Sequence, residues 1–184
     1  MKLGIVEIDD QAAGVKALYD RPYIDKQNVG IYGTSYGGYA SAMALLRHPD
    51  VFTAAAASSS VTDWRHYDSI YTERYMGLLA ENGEGYERSS AMPMADRLAG
   101  HLLLVHSAMD ENVHSTHTFQ LLTALTNAGK DADFRFYPPG AHGAAYDFAS
   151  YITMMEVYTN TLCEEILPGC EPQDLNADPT RPAS

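Results

Sequence analysis

The chain has 184 residues, enough for one domain whose core buries roughly 68–70% of the unfolded surface. Hydrophobic residues make up 46% of it, which excludes a wholly disordered or fibrous chain. A net charge of −12 argues against nucleic acid and anionic membrane as main partners.

Asp9 to Asp20 reads as a helix, with Ala13, Val15, Ala17 and Leu18 apolar and Arg21-Pro22 ending it. A polar connection, Tyr23 to Asn28, leads to a short β-branched strand over Val29–Gly33. Tyr36 to Arg47 reads as a second helix, stopped by Pro49. Phe52 to Ser59 is expected to be a strand, although its alanines give it little intrinsic preference. Val61 to Gly77 mixes aromatic and charged residues, and Glu81 to Ser90 reads as a loop. Leu102–Val105 is a continuous apolar run, as in a strand covered on both faces. Val113 to Ala128 reads as a helix with Gly129 at its end. Phe134–Tyr137 reads as a strand stopped by Pro138-Pro139, and Ala144 to Ile166 as a long helix. Residues 168–184, rich in Pro, Asp and small polar residues, are expected to be a disordered tail behind a domain over 1–167. Strands and helices in alternation imply an α/β fold, mostly parallel strands with covering helices.

No apolar run approaches the roughly 18 residues of a membrane span, and the first residues lack the apolar stretch of a signal peptide. The compartment, cytoplasmic or periplasmic/secreted, stays open. Two late cysteines, Cys163 and Cys170, do not make a disulfide framework; they are close enough in sequence to pair, but are expected to be free thiols.

Gly33-Thr34-Ser35-Tyr36-Gly37 is a G-x-S-x-G elbow between a predicted strand and a predicted helix. A sharp strand-to-helix turn crowds the backbone, so its flanking positions are expected to accept only hydrogen. The turn lifts the serine hydroxyl to the carboxyl edge of the sheet, beside amide donors at a helix N-terminus. A serine hydroxyl needs a base, and the base an orienting acid, in the chain order serine, acid, histidine. Asp110 follows the Leu102–Val105 strand and His142 follows the Phe134–Tyr137 strand, where open α/β sheets place their sites. The plainer alternatives are a helix cap for Asp110 and an ordinary loop histidine for His142. His114 and His117 lie three apart and could share a metal, but no third ligand has convincing spacing. No metal or organic cofactor is expected.

These residues, with Gly38-Tyr39 after the elbow, the run Val61-Thr62-Asp63-Trp64-Arg65-His66-Tyr67-Asp68-Ser69-Ile70-Tyr71-Thr72-Glu73-Arg74-Tyr75-Met76-Gly77, and His106 to His114, resemble the catalytic α/β-hydrolase domain of the prolyl oligopeptidase family, in its dipeptidyl peptidase IV-like branch. The similarity covers residues 4–165, and Tyr-Thr-Glu-Arg-Tyr-Met-Gly is its most specific block. The resemblance implies Ser35 as nucleophile, Asp110 as acid, His142 as base and the Tyr36 amide as an oxyanion donor. It implies a proline-ring pocket of Val61, Trp64, Tyr67, Tyr71 and Val113, with Asn112 contacting the substrate carbonyl. Without it, the tyrosines would read as a local aromatic cluster.

Ser107 and Glu111 depart from the family pattern, which has glycine and often aspartate there. The family's β-propeller, which grips the substrate's amino terminus, and the first half of its sheet, with a second oxyanion donor, have no counterpart in this sequence. The chain is therefore expected to be the C-terminal part of a larger enzyme, or a natural short form. The Val29–Tyr32 strand would then have one bare edge, with self-association or pairing with an N-terminal portion expected there. Three activities stay open: a serine exopeptidase cleaving after penultimate Pro or Ala, a small-ester hydrolase with the same triad, and a non-catalytic remnant.

Overall fold

The computed structural model describes residues 2–143 and Cys163. Within them lie helices α1 (Val6–Ala17), α2 (Tyr36–Arg47), α3 (Ser69–Met76), α4 (Gly83–Arg88) and α5 (Thr116–Asn127), and strands β1 (Gly30–Thr34), β2 (Ala54–Ser58), β3 (His101–Ser107) and β4 (Asp133–Tyr137). Short 3-10 turns span Trp64–His66 and Met92–Arg97. The strands form one parallel sheet in the order β1-β2-β3-β4. The α/β reading therefore stands. The expected helix over 144–166, apart from Cys163, and the tail over 168–184 lie outside the described residues. No helix among the described residues is long and apolar enough to cross a membrane.

Burial explains why an alanine run makes a strand. All five residues of β2 are buried, between β1 on one side and β3 on the other. Small side chains there leave room for α2, which packs on both β1 and β2. Leu103, Leu104 and Val105 of β3 are also fully covered, as a parallel strand under helices requires. Beyond β1 there is no further strand among the described residues, and the residues of β1 alternate between exposed and half-buried.

Three expectations need correction. The first helix runs Val6–Ala17, about three residues early, because its buried face is Ile8 and Ala12. The chain then leaves it through short turns in which the Leu18, Tyr19 and Arg21 amides bond carbonyls three residues back. The expected loop over Glu81–Ser90 contains α4. Tyr86 draws it into a helix, being buried, with its hydroxyl donating to the Gly77 carbonyl at 2.7 Å. Finally, Cys163 is helical, buried and disulfide-bonded rather than a free thiol.

One buried group sets an acid limit on the fold. His117 of α5 is covered, and its Nδ1 accepts the Thr62 amide at 3.2 Å. Burial pushes its pKa down from 6.5 to about 4. Burial likewise lowers that of His106, against the opposing effect of its bond to the Val113 carbonyl. The unfolded chain binds protons below pH 6.5 that the folded chain refuses. Stability is thus complete above about pH 6.5 and falls by up to about 3 kcal/mol from His117 as pH drops towards 4. Urea titrations at several pH values between 7 and 4 should show this slope, and His117→Gln should flatten it. A variant with the wild-type slope would remove His117 as the cause.

Candidate active site

The elbow forms because β1 must end and α2 begin within one residue. Ser35 takes up the whole reversal at φ +61° and ψ −121°, a conformation that L residues hold only under constraint. Its amide donates to the Ser58 carbonyl at 2.9 Å, tying the turn to the end of β2. The crowding falls on Gly33 and Gly38. A Cβ at Gly33 would lie 2.5 Å from the Gly37 backbone, and one at Gly38 would lie 2.4 Å from the Ser58 carbonyl oxygen. Gly37 itself has open space. The second glycine of the motif is thus not the sterically required one, which corrects the expectation for that position. Tyr36 is the first residue of α2, and amides in a first helical turn have no partner within the helix.

Ser35, Asp110 and His142 meet at the carboxyl end of the sheet, from three separate parts of the chain. Asp110 is buried in the loop between β3 and α5. Its Oδ1 accepts the amides of Asn112 at 3.0 Å and Val113 at 2.9 Å. It is not the cap of α5, which starts only at Thr116 after Ser115. His142 lies in the turn after β4 with its side chain 29% exposed. Its Nδ1 is 3.0 Å from both carboxylate oxygens of Asp110, and its Nε2 is 2.9 Å from Ser35 Oγ. A carboxylate can only accept, so Nδ1 carries the proton. Nε2 is then the acceptor for the serine hydroxyl.

Burial raises the Asp110 carboxyl's pKa. The hydrogen bonds from His142, the Val113 amide and Ser59 outweigh that effect and hold it below the usual carboxylate range. Behind it sits His106, fully buried. His106 Nε2 donates to the Val113 carbonyl at 2.7 Å and lies 3.4 Å from Asp110 Oδ2, while its Nδ1 is 2.8 Å from Thr118 Oγ1.

The aromatic residues gather beside Ser35. Trp64 stacks on Tyr71 with centroids 5.6 Å apart and meets Tyr67 edge-on at 5.8 Å. It also lies 5.8 Å from the ring of Tyr36. Trp64, Val61 and Val113 are buried, and Tyr67 and Tyr71 are half-exposed. The Tyr67 hydroxyl donates to Asn112 Oδ1 at 2.7 Å, joining the ring cluster to the acid's loop. Asp63 fixes the 3-10 turn that presents Trp64. It accepts the Arg65 amide at 2.9 Å, Arg65 Nε at 2.8 Å and Ser90 Oγ at 2.8 Å.

Three participants were not anticipated from the sequence. Glu7 of α1 accepts the Tyr36 hydroxyl and the Gly4 amide. Burial and that bond to Glu7 both raise the tyrosine's pKa, so it stays neutral. Ser59 and Ser107 touch the histidine turn, as set out below. None of the three leaves a periodic or motif signal. His114 and His117 do not converge: His114 Nδ1 bonds Thr116 Oγ1 at 2.6 Å, and His117 turns to Thr62. Among the described residues no group of three or more His, Cys, Asp or Glu could hold a metal ion.

A model of the prolyl oligopeptidase family matches residues 1–159. The chain belongs to the prolyl oligopeptidase family. Dipeptidyl peptidase 8 of Homo sapiens is 46% identical over 145 residues, which cover 77% of this chain and 16% of that protein. Human prolyl endopeptidase FAP is 37% identical over 145 residues, covering 77% of this chain and 19% of that protein. The crystal structure of Porphyromonas gingivalis dipeptidyl peptidase 4 superposes with a TM-score of 0.85 at 39% identity, over 90% of this chain and 23% of that one. A putative dipeptidyl aminopeptidase IV from Bacteroides ovatus gives a TM-score of 0.86 at 33% identity, covering 89% and 23%. The chain thus spans less than a quarter of the length of these prolyl oligopeptidase family relatives.

Proposed function

We propose that the chain is a serine peptidase domain that hydrolyses peptide bonds through Ser35, His142 and Asp110, with release of dipeptides after a penultimate Pro or Ala. The observation that carries this reading is the Asp110–His142–Ser35 hydrogen-bond chain, at 3.0 and 2.9 Å. As Ser35 Oγ attacks the scissile carbonyl carbon, its proton passes to His142 Nε2. The oxyanion faces the Tyr36 amide at the N-terminus of α2. His142 then gives its proton to the leaving amine as the C–N bond breaks, leaving an acyl ester on Ser35. Water, deprotonated by His142, attacks that ester and frees the acid product. Asp110 holds Nδ1 protonated throughout and stabilises the imidazolium. No step calls for a metal or an organic cofactor.

Selectivity is assigned to the cluster around Trp64. Proline is compact and apolar and has no N–H to satisfy, so aromatic walls enclose it without a polar partner. Trp64→Ala should lower kcat/KM for a Gly-Pro anilide by about 10–200-fold relative to a short nitrophenyl ester, the range a single apolar pocket contact supplies. Trp64 is also core, so the variant loses about 3–5 kcal/mol of stability. Tyr71→Ala, at a half-exposed position, gives the same comparison at lower structural cost. Equal losses on both substrates would place the cluster outside the specificity pocket.

The deciding experiment is intact-mass spectrometry of the full chain after exposure to a fluorophosphonate. A single adduct supports a competent site. Anilide turnover exceeding ester turnover then supports the peptidase, and the reverse supports the esterase. Folded protein that takes no adduct would overturn the catalytic reading in favour of a remnant.

A further inference from the structure

Ser35 and Asp110 are each fixed by the fold, one by the elbow and the other by two backbone amides. Among the described residues, His142 lies in an irregular turn after β4 rather than at the end of a strand or helix. Among the described residues, backbone bonds hold that turn as far as Gly140: its amide donates to the Tyr137 carbonyl at 3.1 Å, and its carbonyl accepts the Met109 amide at 3.1 Å. Beyond Gly140, two serine hydroxyls contact the backbone on either side of His142 among the described residues. Ser107 Oγ, at the end of β3, donates to the Ala141 carbonyl. Ser59 Oγ, just past β2, accepts the Gly143 amide at 3.0 Å. Both serines are fully buried.

We infer that Ser59 and Ser107 are positioning residues for His142, clamping the chain on either side of it so that the imidazole stays between Asp110 and Ser35. The inference rests on the reading of His142 as the general base. Ser59 carries independent support in its backbone. It sits at φ +43°, where glycine is the comfortable residue, yet it keeps a side chain whose oxygen bonds Gly143 and whose hydroxyl faces the Asp110 carboxylate. A buried non-glycine residue held left-handed beside a reactive group is strain retained for a task rather than for packing. The clamp also links the acid's surroundings to the base's turn, so the two move as one body.

Ser59→Gly separates positioning from structure, since it relieves the backbone while removing the hydroxyl. Its Tm should equal or exceed that of the wild type. Combined with Ser107→Ala, it should slow fluorophosphonate acylation and kcat by about 10–100-fold with KM unchanged, the scale of a misplacement of the order of 1 Å at a reacting group. Nitrogen-15 NMR of the full chain, with the His142 signals assigned by their loss in His142→Gln, gives a readout that needs no turnover. The wild type should show one Nδ1–H tautomer, and the double variant an averaged ring. Identical ring spectra in the two proteins would overturn the clamp. A wild type that takes no adduct would overturn the catalytic reading instead, and the NMR comparison would still decide the clamp.

Discussion

Ser35→Ala should abolish the fluorophosphonate adduct and lower turnover of a Gly-Pro anilide by a factor on the order of 10⁶, the loss typical when the nucleophile of such a unit is removed. The fold should tolerate the change. Ser35 precedes α2, but its side chain makes no capping bond there. The features that hold the elbow are its amide bond to the Ser58 carbonyl and the close approach of Gly33 and Gly38 to backbone, and alanine leaves all of these in place. The hydroxyl that is lost is the atom 2.9 Å from His142 Nε2. A Tm close to that of the wild type together with vanished labelling would isolate the chemistry from the structure. Labelling that persists at the wild-type rate would move the nucleophile elsewhere.

The elements that carry the site were legible in the sequence because local signals and burial agree there. Tyr36–Arg47 was expected as a helix and is one over the same residues. The elbow ahead of it was visible as a motif, and the parallel order of strands followed from alternation. Disagreement between local signal and tertiary demand marks what was missed. Gly83 and Gly85 argue for a loop by propensity, but Tyr86 needs a buried place and α4 provides it. A Cβ at Gly85 would strike Asn82 Oδ1 at 2.3 Å, so the glycine that weakens the helix is also what admits the Asn82 side chain. The candidate triad could be named, because order along the chain and position after strands constrain it. The groups around it could not. Glu7 is 29 residues from Tyr36, and Ser59 is 84 from Gly143, and nothing in a one-dimensional pattern pairs them. In the sequence, Ser107 stands out only as a departure from glycine. Its hydroxyl bond to the Ala141 carbonyl became visible when β3 and the turn after β4 were brought side by side.

Asp110→Asn should lower kcat by about 10⁴-fold, with the overall geometry kept. The reason lies in which oxygen of Asp110 has freedom. Oδ1 accepts the amides of Asn112 and Val113, so in the variant the asparagine oxygen must take that place. The NH2 group then occupies the position of Oδ2. That position faces His142 Nδ1 at 3.0 Å and lies 3.4 Å from the His106 Nε2–H. Two donors would confront each other there, and the Nδ1–H would be left with Oδ1 alone, also at 3.0 Å but already accepting two amides. His142 relieves the conflict by moving its proton to Nε2, where it donates to Ser35 instead of accepting from it. The imidazole is then the wrong tautomer to act as base, although every backbone contact of the loop survives. His106 cannot supply the missing acceptor, because its Nε2–H is committed to the Val113 carbonyl and its Nδ1 to Thr118. Nitrogen-15 NMR of the variant should therefore show His142 protonated at Nε2, in step with the loss of turnover. A variant that retains kcat within tenfold of the wild type would mean that the tautomer is set by something other than Asp110.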